Sequence, residues 1–293
     1  MSRDRIVIIS PVRDEESHLR GTIHSVVRQT HRPLEWIIVD DGSSDGTWQI
    51  LQRAAAEHPW IQPVQRTDRG FRQSGAGVVD AFYFGYEKIS NGEWDFLGKL
   101  DADLTFEPHY FASCLEEFQE NTDLGIAGGT ICALVDGSLT AESKSDPKFH
   151  VRGAVKLYRR ECWDAIGGIV RGPCWDSIDE LHANMLGWQT RTLAKELVHH
   201  HRPAGQAFGR WRDWVKGGRG NYVSGYHPVF MFLKCLSRLM QRPFGIAAGG
   251  LLWGFVTAYF NRTPRLVDDQ LKKYVRAQQV RHLTLRPSLW RRH

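Results

Sequence analysis

Up to about Leu104, short runs of β-branched and other apolar side chains alternate with longer stretches whose apolar positions recur every three or four residues. Ile6 to Ser10 reads as a buried strand, Glu16 to Gln29 as a helix, Glu35 to Asp40 as a strand and Thr47 to Glu57 as a helix. A strand at Gln62 to Arg66, a helix at Val78 to Lys88 and a strand at Asp95 to Leu100 continue the series. Such strand-helix-strand units build a parallel sheet with helices on its faces, so the expected class is α/β. Ligands bind these sheets beyond the carboxyl ends of the strands, here Pro11 to Glu15, Asp40 to Ser44 and Asp101 to Asp103.

The second half reads as α+β, with strands at Gly125 to Cys132, Ala154 to Tyr158 and Thr190 to Leu197 and a helix at Ile178 to Leu186. Beyond Gly205 a Gly-, Trp- and Arg-rich loop leads into two apolar segments, His227 to Leu239 and Phe244 to Phe260. That change sets a boundary between residues 1–204 and an appendage at 205–293.

With 293 residues, 42% hydrophobic and 24% charged, the chain has enough apolar material for one large core and is not disordered. Its net charge of +5 suits an anionic partner, and the basic residues gather after Arg202, which favours an anionic surface. No nucleic-acid partner is expected. The five cysteines form no CxxC pair, as in a reducing compartment. The apolar stretch ending at Pro11 is too short for a signal peptide, so the expected location is the cytoplasm, at the cytoplasmic face of the inner membrane.

Asp101-Ala102-Asp103 follows an apolar strand directly, and alternation lets both carboxylates turn toward one hard cation, Mg²⁺ or Mn²⁺. Asp-x-Asp is also a common surface tripeptide; its place after an apolar strand is what points to metal. Val39 to Thr47 (Val-Asp-Asp-Gly-Ser-Ser-Asp-Gly-Thr) ends one strand and opens a helix that Ser44 or Asp45 can cap. Asp40 and Asp41 add carboxylates able to accept hydrogen bonds from a nucleoside. In Ser10 to Glu16, Pro11 is expected to stop the first strand, and Glu15 and Glu16 suit a helix start. Arg66 to Gly77 holds three arginines and three glycines, a loop fit for phosphate and equally for solvent.

In combination these segments resemble the inverting glycosyltransferase family 2, with the nucleotide-diphospho-sugar transferase (GT-A) fold, over about the first 200 residues. The family's opening Pro-x-x-Asn/Asp-Glu-Glu is similar to Pro11 to Glu16, its Val-Asp-Asp-Gly-Ser-x-Asp-Gly-Thr to Val39 to Thr47, and its Asp-x-Asp to Asp101 to Asp103. The resemblance implies that Pro11, Arg13, Asp14, Glu15, Asp40, Asp41 and Arg72 hold the nucleotide, with Asp101 between ribose and metal. It implies Asp103 as metal ligand, joined by a histidine of His199-His200-His201, His201 being favoured. Cys174 to Leu181 resembles the family's Glu-Asp segment before a helix, which aligns Asp176 with the general base; Trp175 replaces the usual Glu, so Asp179 and Glu180 remain rivals.

Phe244 to Phe260 carries no charge but falls short of the roughly 20 apolar residues of a spanning helix. An interfacial or re-entrant helix pair is expected, with a buried helical hairpin or a dimer interface as the rival reading. The implied partners are a nucleotide-sugar donor, UDP-linked by family habit, and a lipid-linked or glycan acceptor in surface polysaccharide assembly. A sugar-phosphate nucleotidyltransferase would carry a basic Gly-rich loop where Pro11 to Glu16 is acidic. A non-catalytic basic membrane binder would leave the acidic strand ends idle.

Overall fold

The computed structural model of the protein describes residues 4–67, 76–90, 92–143, 146–202, 210–240 and 244–291. β1 (Ile6–Val12), β2 (Glu35–Asp40), β3 (Ile61–Gln65) and β4 (Phe96–Leu100) run parallel in the order β3-β2-β1-β4. Helices α1 (Leu19–Val27), α2 (Thr47–Glu57) and α3 (Ala76–Tyr86) connect them. Strand residues alternate between faces, and both faces are covered, which is why these strands read as unbroken apolar runs. Ile6 and Ile8 pack with Leu19, Leu51 and Phe118, whereas Val7 and Ile9 pack with Phe82 and Trp163 on the other side.

The chain continues through β5 (Leu104–Phe106), α4 (Tyr110–Glu120), β6 (Leu124–Val135), β7 (Ser138–Ala141), β8 (Val155–Arg159), α5 (Arg160–Ile166), α6 (Trp175–Met185) and β9 (Gln189–His200). These strands extend the same sheet as β4-β8-β6-β9-β5, with β7 hairpinned onto β6. β8 runs antiparallel to β4, so it begins beside the carboxyl end of β4, with Val155 opposite Leu100. At the other rim Arg5 grips Asp95 through its backbone N–H and its Nε, at 2.9 and 3.0 Å, and Glu93 at 2.8 Å.

Two local expectations change. Pro11 does not end β1: it pairs in register with Val39, and Val12 with Asp40. The Val12 carbonyl accepts from Asp41 N, so Pro11, one residue earlier, turns its missing N–H to the β4 side, where the ladder has already stopped at Ile9. And α1 begins at Leu19 because Glu15 and Glu16 are spent on contacts with the next loop, Glu15 N donating to Thr47 Oγ1 at 2.8 Å and Glu16 N to Asp45 Oδ2 at 3.1 Å.

Beyond the sheet lie α7 (Arg210–Val223), α8 (Pro228–Leu236), α9 (Ile246–Phe260), α10 (Asp269–Leu283) and a short 3-10 turn at Leu289–Arg291. Much of the expected Gly-, Trp- and Arg-rich loop is therefore helix. Its glycines allow α7 to lie on α9 at backbone distance: a methyl on Gly218 would strike the Leu251 backbone, and one on Gly254 the Val215 backbone. Across the expected 204/205 boundary, Leu271 and Val275 of α10 share a hydrophobic cluster with Ile178 and Leu181 of α6. Tyr274 Oη donates to the Asn184 carbonyl at 3.0 Å. Among the described residues no helix is long and apolar enough to cross a membrane. Phe232, Leu236, Met240, Phe244, Trp253 and Phe260 are nonetheless exposed.

Candidate active site

The acidic segments Pro11 to Glu16, Asp40 to Asp45 and Asp101 to Asp103 lie at the carboxyl-terminal rim of the parallel strands. The β1–α1 and β2–α2 loops are stitched to each other: Asp14 N donates to Ser43 Oγ at 3.0 Å, Ser44 N to Asp14 Oδ1 at 2.8 Å, and Gly46 N to Glu16 Oε2 at 3.0 Å. Gly42 turns the second loop at φ 79°, a conformation that a side chain resists. Neither expected cap acts at the N-cap position, which Gly46 occupies. Asp45 instead accepts from Thr47 N at 3.0 Å and from its hydroxyl at 2.5 Å. Burial raises the Asp45 pKa, but these bonds outweigh it and leave the carboxyl below its usual value.

Asp40 is buried at the tip of β2, accepting from Ser43 N at 2.9 Å and from Gln65 Nε2 at 3.3 Å. Asp41 holds Arg66 at 2.7 Å, and its carbonyl accepts from Arg13 at 2.9 Å. The sequence singled out Arg13 and Asp41 separately; the fold joins them. Arg72 lies outside the described residues.

The Asp101–Asp103 turn is fixed by Thr22, whose hydroxyl donates to the Ala102 carbonyl at 2.6 Å and accepts from Leu104 N at 3.1 Å. Asp101 N donates to the Ala154 carbonyl at 2.8 Å, tying the turn to the start of β8. The Asp101 carboxylate rests on Lys99 Nζ, which also donates to the Gly153 carbonyl at 2.6 Å. Burial raises Asp101 above the usual carboxyl range against the pull of Lys99, and the nearby Asp103 charge adds to the rise. Asp103 goes the other way: burial is outweighed by His200 and Arg202, at 3.5 and 3.3 Å. Arg202 also clasps Glu15, so one guanidinium bridges the first loop and the Asp-x-Asp turn.

Alternation along β9 decides the histidines. His200 Nε2 faces Asp103 and its Nδ1 meets Glu142 at 2.6 Å; burial would lower its pKa, but these two carboxylates raise it to about 9. The His201 ring, favoured by the sequence as ligand, points elsewhere, to Thr105 Oγ1 at 3.0 Å and onto His18 at a centroid separation of 5.7 Å. Among the described residues no three His, Cys, Asp or Glu side chains are grouped to hold a metal. Asp101 and Asp103 do supply hard carboxylate oxygens on one turn, the donor type that suits Mg²⁺ or Mn²⁺ when substrate oxygens complete the shell.

On the facing wall stands α6. Asp176 in its first turn lies against Gly153, where an added Cβ would come within 3.0 Å of the Asp176 Cβ and 3.1 Å of Oδ2. Gly153 thus has Lys99 with Asp101 on its carbonyl and Asp176 over its Cα. Among the described residues the Asp176 carboxylate has no ion pair. The rivals are taken: Asp179 accepts from Lys156 at 2.9 Å and from Tyr158 at 2.6 Å, and Glu180 meets Lys156 at 2.8 Å and the half-buried His150 at 2.9 Å, both carboxylates deep in the core. Burial pushes Asp179 up to about 6 despite Lys156. Trp175, standing where an acid was expected, covers Lys99 and Lys156 with its ring at 5.5 and 5.6 Å.

Sequence reasoning passed over Lys99, Lys156, Arg202 and Glu142. The two lysines carried a signal, since a lysine centred in an apolar strand requires a buried counter-charge.

The architecture with this cleft is that of the nucleotide-diphospho-sugar transferases, the GT-A fold. A mannosyltransferase from Pyrobaculum calidifontis, in complex with GDP-Man and Mn2+, aligns over 95% of this chain and 87% of its own at a TM-score of 0.56 and 17% identity. Residues 7–169 match the model of glycosyl transferase family 2, and the chain belongs to that family. The chondroitin synthase of Escherichia coli is 29% identical over 119 residues, covering 41% of this chain and 16% of that protein. The polyprenol monophosphomannose synthase of Mycolicibacterium smegmatis is 28% identical over 135 residues, 43% of this chain and 48% of that protein. The matched stretches thus span only part of the length of these relatives.

Proposed function

We propose that the protein transfers a sugar, with inversion, from a nucleoside diphosphate donor to an acceptor hydroxyl at a lipid surface, in surface-polysaccharide or glycolipid assembly. The observation that carries this reading is the meeting of Asp101 and Asp176 on either side of Gly153, at the rim where Asp40 also ends its strand. The nucleoside belongs between the loops of Pro11 to Glu15 and Asp40 to Asp41, where buried carboxylates and backbone amides are already ordered. Arg13, Arg66 and Arg202 bring positive charge to the same rim, fitting a diphosphate. A divalent ion held by Asp101 and Asp103, with His200 beside them, would stabilise charge on the departing diphosphate.

Asp176 is the general base. It takes the proton of the acceptor hydroxyl as that oxygen bonds to the anomeric carbon and the nucleoside diphosphate leaves from the opposite face. Asp179 and Glu180 are held by Lys156 as structure. The exposed apolar face of α8 and α9, with Arg262 and Arg265 nearby, fits the headgroup layer of a membrane. Support comes also from the mannosyltransferase neighbour solved with GDP-Man and Mn2+.

The test is transfer by the purified protein to a lipid-linked acceptor with Mn²⁺, comparing Asp176→Asn and Asp103→Ala with the parent. Loss of turnover in both, with nucleotide binding weakened mainly in Asp103→Ala, is expected. Normal turnover by Asp176→Asn would remove the base assignment.

A further inference from the structure

The neighbouring face of α6 borders a second cavity that the transfer chemistry has not used. Ser177, Glu180 and Leu181 form one wall, α8 and the end of α10 the others, enclosing about 520 Å³, within the size range of small-molecule sites. Four aromatic residues, Phe149, Tyr226, Phe230 and Trp290, box one part of it, with ring centroids 5.3 to 6.0 Å apart. Into the same space reach Lys234 of α8 and Arg238, just past the end of that helix.

Two cations at this spacing repel. Lys234 Nζ donates to the Asn221 side chain at 3.3 Å and lies 5.1 Å from the centre of the Tyr226 ring, neither of which neutralises it. Burial, with the Arg238 charge, pulls its pKa down to about 8. Asp146, which also lines the cavity, lies near enough for its charge to act on both cations and pairs with Arg152 at 3.6 Å. Among the described residues no carboxylate pairs with the half-buried Lys234, and an ammonium so placed, beside a second cation and an aromatic box, is suited to an anion.

We propose that this cavity seats the anionic group of the sugar acceptor, a phosphate or carboxylate between Lys234 and Arg238, with the attached chain or ring against Tyr226, Phe230 and Trp290. The proposal rests on the glycosyl-transfer reading above. Its place fits, because Ser177 follows the base Asp176 directly. α8 also turns Phe232 and Leu236 outward, so its two faces join the cavity to the apolar surface.

Two probes separate the sources of the anion, farnesyl phosphate for a prenyl-linked acceptor and methyl glucuronide for an acidic glycan. Tryptophan fluorescence of the full chain should show saturable binding of one of them, weakened about tenfold or more in Lys234→Met and retained in Lys234→Arg. Lys234→Met should also melt higher than the parent without ligand, because a half-buried ammonium with no carboxylate paired to it has gone, and should bind nucleotide diphosphate with Mn²⁺ unchanged. The proposal is overturned if neither probe binds, if Lys234→Met binds as the parent does, or if that variant loses binding only by melting lower. Failure of the parent to bind any nucleotide, with a normal probe response, overturns the transfer reading and the acceptor assignment with it, while leaving an anion site.

Discussion

Lys156 lies near the start of β8, and its role shows how a single residue fixes two of the acidic groups of α6 as structure. Replacing it with Met strands Asp179 and Glu180 without a counter-charge in the core. Breaking a buried pair from one side costs about 3–5 kcal/mol, so Lys156→Met should lower the urea midpoint sharply, whereas Asp176→Asn should leave it near the parent value. His150 adds a pH-dependent share. Burial lowers its pKa, but the Glu180 charge and hydrogen bond outweigh this and hold it above the usual histidine value. The contribution is complete below the unfolded value near 6.5 and fades as pH rises through the higher folded one. Melting from about pH 6 to pH 9 should therefore show a decline that His150→Gln flattens; identical slopes would rule this out. The turn at Asp40 to Ser43 was legible because Asp40 and Gly42 act within it, whereas the bonds of Ser44 and Gly46 to Asp14 and Glu16 were not. The partners of Lys99, Lys156 and Arg202 were not, because pairing over such separations is decided by which strands become neighbours.

At the scale of elements, period-two and helical patterns located β1 to β4 and α1 to α3 closely, since each buries a face against the same sheet. α7 escaped: Gly217 and Gly218 lower helix propensity, and the packing that repays them lies on Leu251 of α9, about thirty residues later in the chain. Gly254→Ala should cost about 1–3 kcal/mol by overpacking this seam, read as a fall in melting temperature. The outer face of α8 and α9 makes a separate prediction. Trp253→Ser combined with Phe260→Ser should cut co-sedimentation with anionic vesicles while sparing nucleotide binding, and unchanged sedimentation would show that lipid touches another face.

For the molecule as a whole, the sheet order brings loops from β1, β2 and β4 to one rim and lays α6 across it. The carboxyl-end rule foresaw that rim from sequence, while the choice of His200 over His201 beside Asp103 depended on the pairing of β9 with β5 and β6. A panel of nucleoside diphosphates with and without Mn²⁺ should yield one selective rise in melting temperature that depends on the metal. A flat panel would leave the ordered rim without its nucleotide.

The clasp of Arg5 on Asp95 and Glu93 stands where β1 and β4 begin, a full strand length from the carboxylates of the candidate site. Durability and the proposed chemistry therefore have separate addresses in this protein. Cross-links, tethers or tighter charge pairs placed at that foot of the sheet would prolong its folded life and leave the candidate site untouched.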